Sequence, residues 1–253
     1  METQVASKWV LPATASEPTK AWVKQKFLMI GAGKIGKSSF WAQDEGAFFI
    51  ETEPGLNHLA VRKLPCRSWD DLREIYAVLY EAYKAGLFPY QTLVIDTIDR
   101  LISYSQEECV QRAKVKFSKM AEQINTIGDI PEGVGWFWST QMVDNMLTKL
   151  SEFPSALVLI GHVQNKEVKE PTRVIHKDTI NIGGQMGTGL LGWPDHTLHW
   201  RTRMRGEAIE RCLRTKPSEE LEAGSRGNIV PDGFRIDGDL KAAYGKFRSL
   251  FTD

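Results

Sequence analysis

Two short stretches carry residue types able to do chemistry on a phosphate. Gly31-Ala-Gly-Lys-Ile-Gly-Lys37-Ser38 fits the spacing G-x-x-x-x-G-K-[ST]. Its glycines let the backbone wrap until successive N–H groups point inward at the oxygens of an anion. The helix expected to follow turns its positive end to the same point. In such a cradle the Lys37 ammonium reaches the β- and γ-phosphates and the Ser38 hydroxyl ligates Mg2+. The candidate cradle is Gly31, Ala32, Gly33, Lys34, Ile35, Gly36, Lys37 and Ser38, with Ser39 behind it. Lys34 is an extra cation that either touches a phosphate, of its own or a neighbouring subunit, or stays solvated. The second stretch, Leu93-Val-Ile-Asp96, is an apolar run closed by an acid. Asp96 is the expected holder of the Mg2+ shell, although Asp96 or Thr97 also suits the N-cap of a following helix.

Hydrolysis requires a group that orients water. Glu51 and Glu53 both follow the apolar run Ala47–Ile50, and strand alternation puts them on one face, so either is a candidate. Beyond the run Ala156–Ile160, His162 or Gln164 can donate to a γ-phosphate oxygen. Asn165-Lys-Glu-Val168 stands where a guanine reader N-K-x-D would need its acid, and Asp96-Thr-Ile-Asp99 lacks the glycine of D-x-x-G. ATP with Mg2+ is therefore expected rather than GTP.

These residues need a frame. Phe27–Ile30, Ala47–Ile50, Thr92–Ile95 and Ala156–Ile160 are short, almost uniformly apolar runs, and helical patterns lie between them. Lys37–Glu45 can form a helix. Ser68 suits an N-cap for apolar periodicity from Leu72 to Tyr83, and Gly86 is placed to end it. A long helix follows Asp96, with Leu101, Ile102, Cys109 and Val110 on its buried face. Met142, Met146, Leu147 and Leu150 mark another. Such alternation predicts an α/β fold with a mostly parallel sheet buried on both faces. Ligands then sit at the carboxyl ends of the strands. Beyond residue 190, His196–Arg201 and Ile209–Arg214 alternate around Arg205-Gly206, which predicts an antiparallel extension.

Composition sets the limits. The chain has 253 residues, 42% of them hydrophobic, enough for one sizeable core. Thirty-two Lys and Arg balance 32 Asp and Glu, so nothing pulls the whole chain toward nucleic acid or an anionic membrane. Cys66, Cys109 and Cys212 are too scattered for a zinc site and read as free thiols in a reducing cytoplasm. No apolar run reaches membrane-spanning length. Residues 1–20 read as a flexible tail and 21–253 as one domain. Within the tail, Trp9-Val-Leu11 either tucks onto its own domain or docks on a neighbour.

With these motifs placed, the chain resembles the RecA-like P-loop ATPase core over about residues 24–235. It looks closest to compact phage ATPases of single-strand annealing and recombination. The resemblance rests on the loop before Lys37, on Phe49-Ile-Glu-Thr-Glu53, on Val94-Ile-Asp96-Thr97 and on Ile160-Gly-His162. It implies Glu53 as the catalytic carboxylate and His162 as the phosphate sensor. It also implies two mobile loops that meet single-stranded DNA. The first would span Asn125–Trp138, with Trp136 and Trp138 free to stack on bases or to pack on the next helix. The second would span about Asn165–Gly189, with Lys166, Lys169, Arg173 and Lys177 facing phosphates. Arg226 would reach across to the nucleotide of the next subunit in a ring or filament. Gly224 stands where the compact relatives carry a lysine, which puts assembly-coupled hydrolysis in question. The implied activity is a DNA-stimulated ATPase in phage-type recombination, partnered by single-stranded DNA, further copies of itself and other phage replication or recombination proteins. A nucleotide-gated binding module and a helicase motor subunit are the alternatives.

Overall fold

The computed structural model describes residues 12–253 apart from Glu207 and Asp237. The Trp9–Leu11 cluster lies outside the described residues, and residues 12–20 are exposed without regular structure. In chain order the elements are β1 Lys26–Gly31, α1 Lys37–Trp41, β2 Ala47–Glu51, β3 Arg62–Pro65, α2 Trp69–Lys84, β4 Thr92–Asp96 and α3 Ile98–Lys116. They continue with α4 Val134–Leu150, β5 Ala156–Lys169, β6 Val174–Ile180, α5 Gly184–Gly192, β7 His196–Arg205, β8 Ala208–Arg214, β9 Gly224–Ser225, β10 Phe234–Arg235 and α6 Leu240–Arg248.

The sheet runs β10-β8-β7-β1-β5-β4-β2-β3, with β6 on β5 and β9 on β7. From β3 to β7 every neighbour is parallel. β8, β9 and β10 pair antiparallel. This is the expected α/β architecture: β7 and β8 form the expected antiparallel hairpin around Arg205-Gly206, and β7 joins that extension to the parallel sheet through β1.

Alternation along the strands divides the core in two, as the period of a pleated strand demands. Leu28, Ile30, Ile50, Leu93, Ile95, Leu157 and Leu159 face one side, under α2, α3 and α4. Phe27, Met29, Phe49, Val94, Val158 and Ile160 face the other, under α1 and α6. Helix α2 starts where Ser68 accepts the Asp71 N–H at 3.0 Å.

Other expectations shift. The helix after the Gly-rich loop ends at Trp41 rather than Glu45. Asp44 is diverted: its carboxylate accepts from the Gly46 N–H, the Thr92 hydroxyl and the Tyr244 hydroxyl, which turns the chain. The expected first mobile loop is not a loop. Residues 118–133 form short 3-10 turns and α4 begins at Val134, so Trp136 and Trp138 ride on its first two turns. Gly135 makes this possible, because an added Cβ would stand 2.6 Å from Ile130. The expected second loop is a hairpin, β5 with β6, followed by α5.

Helix α6 was not anticipated, although Asp239 caps it and Leu240, Ala243, Tyr244 and Phe247 repeat at helical spacing. Phe247 is fully buried among Trp22, Phe27, Phe40, Trp41 and Phe251. Phe247→Ala is expected to cost about 3–5 kcal/mol of stability, read from the urea midpoint. A loss under about 1 kcal/mol would show that α6 is not part of the cooperative core.

Candidate nucleotide site

Parallel register brings four strand ends to one edge. Gly31 stands opposite His162, Asp96 opposite Ile160 and Glu51 opposite Asp96. Strand β5 lies between β1 and β4, so His162 emerges between the Gly-rich loop and Asp96.

The loop bends as its sequence requires. Gly36 has φ +113°, a conformation that favours glycine, and the Trp200 ring packs 3.6 Å from where a Cβ would sit. Gly31 leaves no slack either, since an added Cβ would meet Trp200 at 3.1 Å. Trp200, on β7, is thus the floor under the loop, a role that no sequence motif announced.

Lys37 is buried, and its Nζ donates to the carbonyls of Gly31 and Ala32 at 2.9 and 2.8 Å. Ser38 Oγ donates to Asp96 Oδ2 at 2.6 Å. Burial pushes the Lys37 ammonium below its ordinary range, against the pull of Asp96, Asp99 and Glu53. Burial likewise pushes the Asp96 carboxyl up, against the Ser38 hydrogen bond and the charge of Lys37. A cavity of about 260 Å³ opens here, lined by Lys34, Lys37, Ser38, His58, Asp96 and His162 among others. Its oxygen donors, the Ser38 hydroxyl and the Asp96 carboxylate, are of the type that Mg2+ takes.

The two glutamates part company. Glu51 is buried, paired with Lys63 at 2.9 Å and Arg67 at 3.3 Å, and accepts the Leu56 N–H. Burial alone would raise its pKa, but the bonds from Lys63 and the backbone outweigh this and leave it lowered. Glu53, past the strand end, accepts from the Thr97 hydroxyl at 3.2 Å beside Asp96. His162 gives its backbone N–H to Asp99 Oδ2 at 3.0 Å, with Nδ1 3.4 Å from the same oxygen. The Asp99 carboxylate beside Nδ1 raises the pKa of the imidazole against the effect of burial. Gln164 is turned away, donating to the Ile180 carbonyl. His58, in the loop after β2, was not anticipated; the only signal for it was its place beyond an apolar run.

The remaining residues lie apart. Arg226 follows β9, which pairs with the start of β7 at the opposite end of the sheet from the loop. It is ion-paired with Asp195 at 2.9 Å. Lys166 and Lys169 are exposed on the hairpin and have no ion-pair partner among the described residues. Arg173 is paired with Glu170 and Glu219, and Lys177 with Glu222 at 2.6 Å. Trp136 is half exposed and lines a separate cleft of about 750 Å³ with Asp99, Phe137, Asn181 and Gln185. Trp138 instead stacks near Phe117 under Lys116.

A Gly-rich loop, Lys37, Ser38 and Asp96 at the carboxyl edge of this mostly parallel sheet define a P-loop ATPase core. The chain belongs to the AAA domain family, whose model matches residues 23–227. Among solved structures, a KaiC-like protein of the hyperthermophilic archaeon Pyrococcus horikoshii OT3 is similar over 76% of this chain and 77% of its own. It is 10% identical, with a TM-score of 0.42. No curated protein matches. Among the described residues no helix is long and apolar enough to cross a membrane.

The two glutamates are separable by stability. Glu51→Gln leaves Lys63 and Arg67 short of a partner and is expected to cost about 1–3 kcal/mol, whereas Glu53→Gln costs under about 0.5 kcal/mol. Because the pKa of Glu51 is lowered on folding, its contribution is present above the unfolded value of about 4.3. It disappears as pH falls through the folded value, so the two proteins converge in acid. Urea melts at pH 7 and below pH 4 check this; equal losses for both variants at pH 7 would contradict the assignment.

Proposed function

We propose that this protein binds Mg-ATP and hydrolyses it, and that it acts on single-stranded DNA in recombination or annealing of the phage type. The observation that carries the ATPase part is the convergence of Lys37, Ser38, Asp96 and His162 around one cavity at the sheet edge, with Glu53 tied to Thr97 of its lining. In this reading Lys37 and the loop N–H groups hold the β- and γ-phosphates, and Ser38 and Asp96 hold Mg2+. The ion supplies charge against the developing negative oxygens. Glu53 orients the attacking water, and His162 donates to a γ-phosphate oxygen. The cavity suits the phosphate chain.

Support for the DNA part comes from the cleft beside α3. Trp136 and Phe137 present about half or more of their surface, 53% and 60%, where a base can stack. Lys166 and Lys169 on the hairpin offer charge to phosphates. Arg173 and Lys177 are already paired with acids, so they contribute less than the count of basic residues suggests. Arg226 serves a neighbouring copy in a ring or filament if it leaves Asp195. That tie, with Gly224 in the place of a lysine, favours a second reading, in which the protein is a nucleotide-gated binding module with slow turnover.

Phosphate release by the purified chain, with and without a single-stranded oligonucleotide, tests both. Expected outcomes are turnover raised by DNA, abolished by Lys37→Ala and lowered about 100-fold by Glu53→Gln, with Trp136→Ala weakening oligonucleotide binding about tenfold. Turnover indifferent to DNA, with no binding at low salt, would remove the DNA part alone. Tight Mg-ATP binding without turnover would select the second reading.

A further inference from the structure

Asp99 is the second residue of α3. An acid there ordinarily serves the free N–H groups of its own helix. Here it reaches across to β5 instead. Its Oδ2 accepts the backbone N–H of His162 at 3.0 Å and lies 3.4 Å from Nδ1 of the same residue. Its Oδ1 is buried without a hydrogen-bond partner, a cost that a purely structural acid would not need to bear. The side chain is 14% exposed. Asp99 lines the larger cleft, while His162 lines the phosphate cavity. One carboxylate is therefore a wall of the first and the support of a group in the second.

The two-point hold has a chemical consequence. A carboxylate only accepts, so the ring nitrogen facing it carries the proton. Nε2 is then the nitrogen left for a ligand. We propose that Asp99 is a positioning residue of the nucleotide site, fixing the ring and tautomer of His162 so that Nε2 serves the terminal phosphate. The proposal rests on the ATPase reading above. Supports of this kind behind a working imidazole set its orientation and basicity. The other charged groups facing His162 are Lys37 from α1, Glu53 beyond β2 and Asp96 at the end of β4. Lys34 and His58 line the same cavity. Asp99 is the one among them bonded to His162.

The test uses the full chain labelled with 15N-histidine, with the His162 resonances assigned by their loss in His162→Gln. In the parent, neutral His162 is expected as the Nδ1–H tautomer. Asp99→Ala is expected to shift it toward Nε2–H, and Asp99→Asn, which keeps the volume and removes the charge, to lower the pH at which the ring titrates. In turnover, Asp99→Asn is expected to lower kcat about tenfold with the KM for ATP within about twofold. It adds no further loss in the His162→Gln background. Unchanged tautomer and titration in both variants would overturn the proposal, as would the same fold loss with His162 present or absent. A parent that does not turn over ATP would instead refute the ATPase reading, and the spectra would still decide the role of Asp99.

Discussion

Asp96 is 7% exposed at the end of a strand buried on both faces. An ionised carboxylate so placed loses most of its hydration and must be answered by nearby donors and positive charge. The answers come from two other elements, α1 and β5. Ser38 donates a 2.6 Å hydrogen bond, Lys37 brings its ammonium from the same helix start, and His162 leans in from β5. Even together they leave the carboxyl pKa raised. The protein alone thus falls short of neutralising this acid, and a divalent cation between Asp96 and Ser38 would make up the difference.

That balance makes the sheet register decisive. A slip of one residue displaces a strand by about 3.3 Å and exchanges its faces. Slippage of β1 would carry Lys37 and Ser38 away from Asp96 and bring Phe27 and Met29 to the wrong layer. The two-layer core prevents this. On one face α2, α3 and α4 cover aliphatic side chains; on the other, an aromatic cluster from the chain entry, α1 and α6 clamps β1. Trp22 spans both ends of the chain, contacting Phe27 and Phe251 and donating to Thr92. Positioning of the phosphate loop is therefore a property of the whole domain, down to Trp200 beneath Gly36.

Much of this was legible because it is written locally. Uniform apolar runs give buried parallel strands, and the Gly-rich spacing dictates a loop of one shape. Glu51 and Glu53 could not be separated by residue type, since both are acids at a strand end. Only the arrival of Lys63 on β3 and Arg67 just beyond it shows which is spent on structure. Two segments rich in glycine and charge read as mobile loops but form ordered elements. Gly135 lets α4 close onto Ile127 and Ile130, and seven residue pairs zip β5 to β6. Gly135 and Gly187 mark close approach, whereas Gly133 and Gly184 supply the positive φ of a turn. His58, Asp99 and Trp200 carried no spacing signal, because their roles arise from neighbours far along the chain. The β7–β8 hairpin was legible from its turn, but the alternation in His196–Trp200 misled on burial, because all five residues are buried where β7 joins β1.

Calorimetric titration with ATP, in Mg2+ and then in excess chelator, tests the central claim most directly. The account predicts one binding site per chain in Mg2+, at least tenfold weaker without the ion, and an Asp96→Asn variant that gains little from Mg2+. No heat of binding from the folded chain, or equal affinity with and without Mg2+ in both proteins, would contradict it.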